Sequence, residues 1–349
     1  MNVRFAGQQD KRAWDAYINS HTYAAPYSLY AWKEAVEEAY GHNGCYLLAE
    51  EGTKIRGVLP LVQFHVPFRS HNLISLPYCD VGDVFAETPE IRRFLIKEAL
   101  VLAGRRKICR IDIRSSAKNL IDADLGWHVS VQSDKVRMLL QLPSSSEQLW
   151  QGFKSKLRSQ IKKAEKNGLS FRWGTRADIS DFYRVFSRNM HALGSPVHSK
   201  KWIESVYKFY GGNARIGLVY KETVPVGCGM ILWAGKRVSI PWASTLREFN
   251  RLSPNMLLYW NFLQFAADSG KQLFDFGRST PGEGTFQFKK QWGATPEPLY
   301  WYCLTKVEID QERGKYGASR RDRLALLWSK MPLSVANAFG PKLRKYITL

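Results

Sequence analysis

The side chains of this chain best suited to chemistry lie in one stretch near its end, FDFGRSTPGEGTFQFKKQWGA, residues 274–294. The stretch joins a short apolar run to Arg278 and Ser279, then a Gly/Pro-rich turn, then Lys289 and Lys290 among aromatic residues. An arginine at the end of a buried strand can hold a phosphate or carboxylate through two parallel hydrogen bonds. Arg278 and Ser279 are therefore predicted to bind an anionic substrate; the alternative is a basic surface hairpin.

Two residues in the same half of the chain could move a proton. Asp275 could accept the proton of an attacking amine, although it could instead order its own turn or form a salt bridge with Arg278. His198, in GSPVHS, stands among small turn residues. Its ordinary pKa near neutrality suits a general base. A loop histidine without a role is the alternative.

Further side chains are candidates for substrate binding. Arg158 lies among the apolar positions of a basic amphipathic helix and not on its solvated face, which favours a role in binding. The turn REFNRLSPNM offers Asn255 near a helix start. Trp242 and Tyr259 could form an aromatic wall for a sugar or acyl chain, although aromatic residues at such spacing more often belong to a core.

The positive charge is concentrated in the second half of the chain. Residues 1–149 carry 18 Lys and Arg against 17 Asp and Glu, whereas residues 150–349 carry 33 against 14. The two halves therefore contribute +1 and +19 to the net charge of +20. This asymmetry indicates an anionic partner such as a phosphate-bearing substrate, nucleic acid or acidic lipid. The alternative, that the charge only keeps the protein soluble, leaves the asymmetry unexplained.

The composition excludes several classes of protein. A chain of 349 residues that is 45% hydrophobic and 13% aromatic can form two packed globular domains. The sequence lacks an apolar run long enough for a membrane span, and its start, MNVRFAGQQDKR, lacks a signal-peptide core, so a cytoplasmic location is expected. The five scattered cysteines and seven histidines have no metal-ligand spacing, so neither a disulfide framework nor a metal site is expected.

One pattern of elements occurs twice. In the first half, CYLLAEEGTKIRGVLPLVQF predicts strand, turn and strand, followed by an apolar stretch, a helix capped by Thr88, and the strand ICRIDIRSS. In the second half, RIGLVYKETVPVGCGMILWAG predicts the same hairpin, followed by RVSIPWAST, a helix, and the strand QLFDFGRST. Arg114 corresponds to Arg278 at an offset of 164 residues. Two copies of one mixed α/β unit are predicted.

The serine-rich stretch LPSSSEQLWQ predicts the boundary between the copies. It places one domain at residues 1–145, a second with the site at 146–305, and a basic segment at 306–349. A single helix is predicted from about residue 146 to Asn167-Gly168, because apolar residues recur every three or four positions. Residues 313–345 carry nine Lys and Arg against one acid, and they either lie on an anionic bilayer surface or pack on the first domain.

The order hairpin, strand, helix, strand resembles the core of the GNAT acyltransferase fold. The motifs FKSKLRSQIKKAEKNGL, IPWASTLREFNRLSPNMLLYW and DFGRSTPGEGTFQFKKQWGA narrow the resemblance to the FemAB-like aminoacyl/acyltransferases. They are most similar to the FemAB-related proteins associated with exosortase/PEP-CTERM exopolysaccharide systems. The resemblance is strong over residues 145–303 and weak before them. It implies an α/β fold of two tandem GNAT-like domains with mixed, mostly antiparallel sheets.

The resemblance also implies a role for one lysine. In the best-known relatives, a lysine of the FK motif stabilises the negative charge that forms during acyl transfer, and the matching position here is Lys289. Acyl transfer passes through an oxyanion, which a preorganised cation can stabilise. If the segment is extended, successive side chains point to opposite faces, so either Lys289 or Lys290 faces the site, and Lys289 is predicted.

Three features depart from the patterns of the resembling families, and the last two leave the donor open. Relatives hold a substrate diphosphate with a lysine a few residues beyond a tryptophan, whereas here Lys33 directly follows Trp32 among glutamates, so that role is not carried over. The long helical insertion of many relatives that use aminoacyl-tRNA is not evident, and the turn before the second-half helix lacks a glycine pair for an acyl-CoA pyrophosphate. Either donor would act as a co-substrate, with no permanently bound cofactor.

The leading hypothesis is acyl or aminoacyl transfer to an amine or hydroxyl of an anionic cell-envelope precursor of the exopolysaccharide or peptidoglycan type. The precursor, free or lipid-linked, aminoacyl-tRNA and the inner membrane are the partners that this hypothesis admits. One alternative is an acetyl-CoA-dependent GNAT N-acetyltransferase. The other is a non-catalytic basic adaptor that binds acidic lipid-linked polysaccharide or RNA.

Overall fold

The computed structural model describes residues 1–22, 24–67, 71–121, 125–307 and 315–348, with residues 315–321 described by their backbone alone. The strands, in chain order, are β1 (Asn2–Phe5), β2 (Asn43–Gly44), β3 (Leu47–Glu51), β4 (Lys54–Leu59), β5 (Val62–Phe64), β6 (Asn72–Ile74), β7 (Phe85–Ala86), β8 (Arg110–Ser115), β9 (His128–Gln132), β10 (Val136–Gln141), β11 (Leu169–Gly174), β12 (Ala214–Lys221), β13 (Val224–Ala234), β14 (Arg237–Thr245), β15 (Leu273–Ser279), β16 (Thr295–Pro298) and β17 (Tyr300–Thr305). The α-helices are α1 (Lys11–Asn19), α2 (Tyr30–Tyr40), α3 (Pro89–Arg105), α4 (Ser146–Gly152), α5 (Ser155–Lys166), α6 (Ile179–Ala192), α7 (Lys200–Tyr210), α8 (Pro254–Asp268), α9 (Gly284–Lys290), α10 (Lys315–Lys330) and α11 (Leu333–Arg344).

The strands form three sheets. Their orders are β1-β3-β4-β7, β2-β5-β6-β8-β17-β9 and β11-β12-β13-β14-β15-β10-β16. Among the described strands, β6 with β8 and β14 with β15 pair in parallel, and the other pairs are antiparallel. The sheets are therefore mixed and mostly antiparallel, as the resemblance implies.

The repeated unit is present in both halves. In the first, α3 connects the parallel strands β6 and β8, and in the second α8 connects β14 and β15. The start of α3 follows the sequence prediction, because Thr88 caps it by accepting a hydrogen bond from the Ile91 amide at 3.4 Å. Its buried residues, which include Leu95, Ala99 and Leu102, recur at helical spacing and face the sheet.

Two strands depart from the predicted domain boundaries. β10 precedes residue 146 but pairs with β15 and β16 in the second-half sheet. β17 lies near the end of the chain but pairs with β8 and β9 in the first-half sheet. Each half thus lends the other an inner strand, and both strands satisfy backbone groups that would otherwise form an open sheet edge. The division into domains at residues 145 and 146 stays a proposal, in which β10 belongs to the sheet of the second half and β17 to a sheet of the first.

The predicted single helix after the boundary is two helices. α4 ends at Gly152, Phe153 adopts an extended conformation (φ −75°, ψ 143°), and α5 begins at Ser155. Leu149, Phe153, Leu157 and Ile161 are nevertheless all buried in the second-half core. The apolar spacing therefore identified the buried face correctly and missed the break.

The C-terminal segment contacts both halves. α10 and α11 contact α6. The residues after α11 bond the first half, since the Tyr78 amide donates to the Thr348 carbonyl at 2.7 Å and the Tyr78 hydroxyl to the Lys345 carbonyl at 2.6 Å. The alternative from the sequence was a C-terminal helix packed on the first domain; the two helices instead contact α6 of the second half, and the residues that follow them bond the first half.

Candidate active site between the two halves

Lys289 lies buried beside the end of β15. The residues around it form the short helix α9 and not an extended segment, so the geometric premise for choosing between the two lysines was wrong. The side chain of Lys289 is 8% exposed, whereas Lys290 is exposed to solvent. The structure thus places Lys289 inward and leaves Lys290, also predicted to bind substrate, on the surface.

The ammonium of Lys289 is held by backbone carbonyls. Its Nζ donates to the Gly277 oxygen at 3.1 Å and to the Arg278 oxygen at 2.7 Å. An ammonium has three donors, so the described residues leave one for a substrate oxygen. Burial lowers the pKa of Lys289 to about 8, although Asp80 and Asp275 act in the opposite direction. A desolvated cation with a donor to spare is suited to stabilising an oxyanion.

Aromatic packing holds α9 in place. The Tyr259 ring on α8 lies 5.6 Å from that of Phe276, 5.0 Å from that of Phe288 and 6.2 Å from that of Trp292. Tyr259 is 9% exposed. It therefore positions the helix that carries Lys289 and does not form the free aromatic wall that the sequence suggested.

A left-handed glycine shapes the strand end. Gly277 has φ +75°, a conformation that side chains rarely adopt, and its amide donates to Asp275 Oδ1 at 2.8 Å. This turn directs the carbonyls of Gly277 and Arg278 to Lys289. A residue with a side chain would be strained at position 277, so the glycine of the DFGR motif favours the backbone geometry in which the two carbonyls face Lys289.

Asp275 is an ion-pair partner, contrary to its predicted role as a base. Its carboxylate pairs with Arg237, and both side chains are buried. Burial alone would raise the pKa of Asp275, but Arg237 and Arg137 outweigh it and lower the pKa below its ordinary value. A carboxylate held ionised by buried arginines is a poor proton acceptor. Nor does it pair with Arg278, the other alternative considered from the sequence.

Arg278 instead meets an aspartate from the first half. Its amide donates to Asp80 Oδ2 at 3.1 Å, and its Nε lies 3.5 Å from Asp80 Oδ1. β14 and β15 pair only from Arg237–Leu273 to Ser239–Asp275 and then diverge, which leaves this amide available. Asp80 thus reaches the gap between the diverging strands, and the first half contributes to the site.

A second arginine lies at the same place. The Arg114 Cζ lies 5.4 Å from the ring centroid of Trp301, and the Arg278 Cζ lies 5.2 Å from it. Trp301 belongs to the exchanged strand β17, and its Nε1 donates to the Asp80 carbonyl at 3.1 Å. The two arginines that correspond in the sequence repeat therefore share one tryptophan. Arg114 is 6% exposed and donates to the carbonyls of Leu76 and Cys79.

A third arginine arrives from the C-terminus. Arg344 ends α11, and its Nε donates to His198 Nε2 at 3.1 Å. Burial lowers the pKa of Arg344, and the positive charges of Arg278 and Arg114 lower it further. Asp80 offsets part of the mutual repulsion among the three arginines, and an anionic ligand would offset more of it. Sequence reasoning missed Asp80, Trp301 and Arg344; the Arg114–Arg278 correspondence was the one signal present.

His198 is buried and bonded at both nitrogens. Its Nδ1 lies 2.7 Å from the Tyr40 hydroxyl, and its Nε2 accepts from Arg344. Burial and the Arg344 charge hold the pKa of His198 well below its usual value. The imidazole therefore stays neutral with both nitrogens occupied, which contradicts the general-base prediction. It acts on the site by orienting Arg344.

Trp242 and Asn255 lie outside the arginine cluster. Trp242 is 9% exposed and packs with Trp32 and Trp202 in the core, as its alternative reading proposed. Asn255 is half-buried at the start of α8. Arg247, from the same turn, lines a cavity of about 290 Å³ together with Arg188. Glu248 lines the same cavity and pairs with Arg188, so Arg247 is the arginine of this cavity that the pair leaves to a ligand, and Lys289 is not part of the lining.

Ser279 is a buried hydroxyl at the strand end. It is 4% exposed, and its Oγ finds no hydrogen-bond partner among the residues that the structure describes. A buried hydroxyl without a partner loses free energy unless a ligand or water satisfies it. Ser279 is consistent with the predicted substrate contact, and with Arg278 and Lys289 it forms the part of the predicted set that the fold brings together. Within the described residues, no group of three or more His, Cys, Asp or Glu side chains could hold a metal ion.

Arg158 caps a helix, contrary to its predicted role in substrate binding. Its Nη1 donates to the carbonyls of Gln151 at 3.2 Å and Phe153 at 2.8 Å, at the end of α4. We expect Arg158→Ala to lower the free energy of unfolding by about 1–3 kcal/mol, because these carbonyls lose a charged donor. Chemical denaturation measures it, with the exposed Lys163→Ala as control. A raised KM at unchanged stability would instead restore the binding role.

Known proteins share the fold of this chain. Residues 151–290 match the sequence model of the family described as acetyltransferase (GNAT) domain. FemX is similar in structure, with a TM-score of 0.68, 15% identity, and coverage of 90% of this chain and 99% of that chain. The chain has the FemAB-like fold.

Two further solved structures are similar to this chain, with lower TM-scores. One is the C-terminal domain of a protein described as a lysylphosphatidylglycerol synthetase from Agrobacterium fabrum, with a TM-score of 0.60 and 12% identity. The alignment covers 89% of this chain and 95% of that domain. The other is a tandem GNAT protein from the clavulanic acid biosynthesis pathway, with a TM-score of 0.50 and 11% identity. The alignment covers 88% of this chain and 100% of that protein. No curated protein matches in sequence.

The predicted fold of two GNAT-like units is thereby confirmed, and so is the predicted class, acyltransferase, through the family match. The match runs from the end of α4 to the end of α9, so β15, Arg278 and Lys289 lie inside it. The association with exosortase/PEP-CTERM systems stays a prediction.

Proposed function

We propose that this chain transfers an acyl or aminoacyl group to an amine or hydroxyl of an anionic cell-envelope precursor. The observation that carries the proposal is the buried ammonium of Lys289, held at the strand end beside a cluster of three arginines. In the reaction, the amine nitrogen or hydroxyl oxygen of the acceptor attacks the carbonyl carbon of the donor and forms a new bond to it. The resulting oxyanion is stabilised by Lys289 until the bond to the donor's leaving group breaks and that group takes the acceptor's proton.

The arginine cluster supplies the contact with the acceptor's negative charge. Arg114, Arg278 and Arg344 come from the first half, the second half and the C-terminal segment, respectively. Arg278 is 32% exposed at its side chain, so its guanidinium can contact a ligand from solvent. Planar guanidinium groups bind phosphate and carboxylate in a fixed geometry. A phosphate-bearing or carboxylate-bearing acceptor fits this cluster.

The donor that the family match favours is an acyl-CoA, since the match is to an acetyltransferase domain. Arg247 in the cavity of about 290 Å³ could contact one of its phosphates, beside the Arg188–Glu248 ion pair that lines the same cavity. The similarity to FemX and to a protein named for lysylphosphatidylglycerol synthesis supports keeping aminoacyl-tRNA as the second donor and a lipid-linked precursor as an acceptor. Incubation of the pure chain with each donor and with phosphorylated amino-sugar acceptors, followed by mass spectrometry, tests the proposal. Binding of the acceptors without transfer by either donor would favour the non-catalytic adaptor.

Removal of a cluster arginine should weaken acceptor binding. We expect Arg278→Gln and Arg344→Gln each to raise the KM for the acceptor by about tenfold or more, because each loses a charged hydrogen bond to the anion. The turnover number should change less. Steady-state kinetics measure both, with Arg184→Gln, an exposed arginine on α6, as control. A KM that moves equally in all three variants would remove the cluster from acceptor binding.

A further inference from the structure

The two C-terminal helices expose an unusual amount of apolar surface. Thirteen large apolar side chains are exposed in the described part of the chain, and six of them lie on α10 and α11. These six are Leu324, Leu326, Leu327, Val335, Phe339 and Leu343. A soluble surface rarely concentrates apolar side chains in this way unless it binds something.

On α11 the exposed apolar residues form a stripe. Val335, Phe339 and Leu343 follow one another at intervals of four, so they share one face of the helix. The other face is already used, because Ala336 and Gly340 are buried and a side chain at 340 would come within 3.5 Å of Trp328 on α10. The stripe is therefore a second face, distinct from the one that attaches the helix to the protein.

Cations accompany these apolar side chains. Residues 315–348 carry eight Lys and Arg against one acid. Arg323, Lys330 and Lys342 are exposed, and the Lys342 Nζ lies 5.9 Å from the ring centroid of Phe339. Apolar side chains interleaved with cations match the boundary between the acyl chains and the headgroups of an anionic bilayer.

We propose that α10 and α11 form a peripheral binding surface for an anionic lipid bilayer. In the described part of the chain no helix has the length and apolarity to cross a membrane, so the contact is made from one side. Charge complementarity favours lipid over a second copy of the chain, since two such basic faces would repel each other. The proposal goes beyond the transfer chemistry and does not depend on it.

The position of the surface relative to the site adds a consequence. α11 runs from the apolar stripe to Arg344, whose Nε contacts His198 beside the arginine cluster. The helix therefore connects the proposed bilayer surface to the arginine cluster. If the proposed function holds, the site faces a lipid-linked acceptor without the chain having to leave the membrane.

Sedimentation of the full chain with vesicles tests the surface without any assay of activity. We expect binding to vesicles of phosphatidylcholine mixed with phosphatidylglycerol, weak binding to phosphatidylcholine alone, and release by salt. Phe339→Ser should lower the partition coefficient about tenfold, because the ring no longer leaves water. Lys342→Glu should lower it for the anionic vesicles in particular.

Phe5→Ser is the matched control, since Phe5 is 49% exposed against 55% for Phe339 and also lies beside a cation, Arg106, at 5.7 Å. It should leave vesicle binding unchanged. Equal binding by wild type and Phe339→Ser overturns the proposal. Concentration-dependent dimerisation that Phe339→Ser abolishes, without vesicle binding by the wild type, also overturns it and assigns the surface to a second copy. If the wild type binds the anionic vesicles but transfers no group from either donor, the proposed function is contradicted and the bilayer surface is not.

Discussion

Lys289→Ala should lower the turnover number of acyl transfer by about 10²–10³ while the protein stays folded. The ammonium lies buried beside the strand end with one donor left for the substrate, and its removal takes that charged donor from the developing oxyanion. The substitution shortens a side chain whose bonds are to two carbonyls at the edge of the core, so the fold should survive. Single-turnover kinetics with the donor that the wild type accepts measure the change, and circular dichroism checks the fold.

Lys290→Ala is the control for this result. It removes a neighbouring positive charge from the same helix, but from its exposed side. Its turnover should match that of the wild type. Equal losses in the two variants would show that a diffuse positive field matters and not the buried ammonium, and unchanged turnover in Lys289→Ala would remove this lysine from the mechanism.

Asp275→Ala should lower the free energy of unfolding by about 3–5 kcal/mol. The carboxylate faces Arg237, which is fully buried, and it also accepts the Gly277 amide at 2.8 Å. Removal of one partner from a buried ion pair leaves the other charge in a medium that solvates it poorly. Urea denaturation followed by tryptophan fluorescence measures the loss.

Glu248→Ala provides the comparison for the buried pair. Glu248 pairs with Arg188 at 2.9 Å, but both side chains are about half exposed, so its loss should cost about 0–1 kcal/mol. The double variant Arg237→Met/Asp275→Leu should recover much of the stability lost in Asp275→Ala. If Asp275→Ala were as stable as the wild type and failed only in catalysis, the general-base role predicted from the sequence would return.

Local patterns predicted most of the elements. The hairpin of β12 and β13, the capped helix α3 and the strand β15 each depend on neighbours in sequence, through turn residues, caps and apolar spacing. The exchange of β10 and β17 could not be predicted in this way. Their pairing joins residues far apart in the chain, as in Tyr302 opposite Ile113, and no local propensity specifies a distant partner.

The residues of the candidate site also differ in whether they are close together in the sequence. Lys289, Arg278 and Ser279 stand within one short stretch, so the sequence could group them. Asp80 and Arg344 come from other parts of the chain, and only the fold brings them to Arg278.

The roles predicted for Arg158 in substrate binding and for His198 as a general base were wrong for the same physical reason. A cation on an apolar face and a histidine in a loop are typical of functional sites, but both also occur where a buried carbonyl or guanidinium needs a partner. Arg158 serves the carbonyls that end α4, and His198 accepts from Arg344. The sequence could not distinguish these uses, because the partners that define them are fixed by tertiary packing.

The pH dependence of transfer tests the role of Lys289 most directly. Its pKa is lowered to about 8, so the side chain is cationic below that pH and neutral above it. If the cation stabilises the oxyanion, the kcat/KM of the wild type should fall as the pH increases through about 8, whereas Lys289→Arg stays charged and should lack this fall. The ratio of kcat/KM for Lys289→Arg to that of the wild type, measured with one acceptor, should therefore rise above pH 8. A ratio that is constant with pH, or that falls because neutral Lys289 is the active form, would contradict this role.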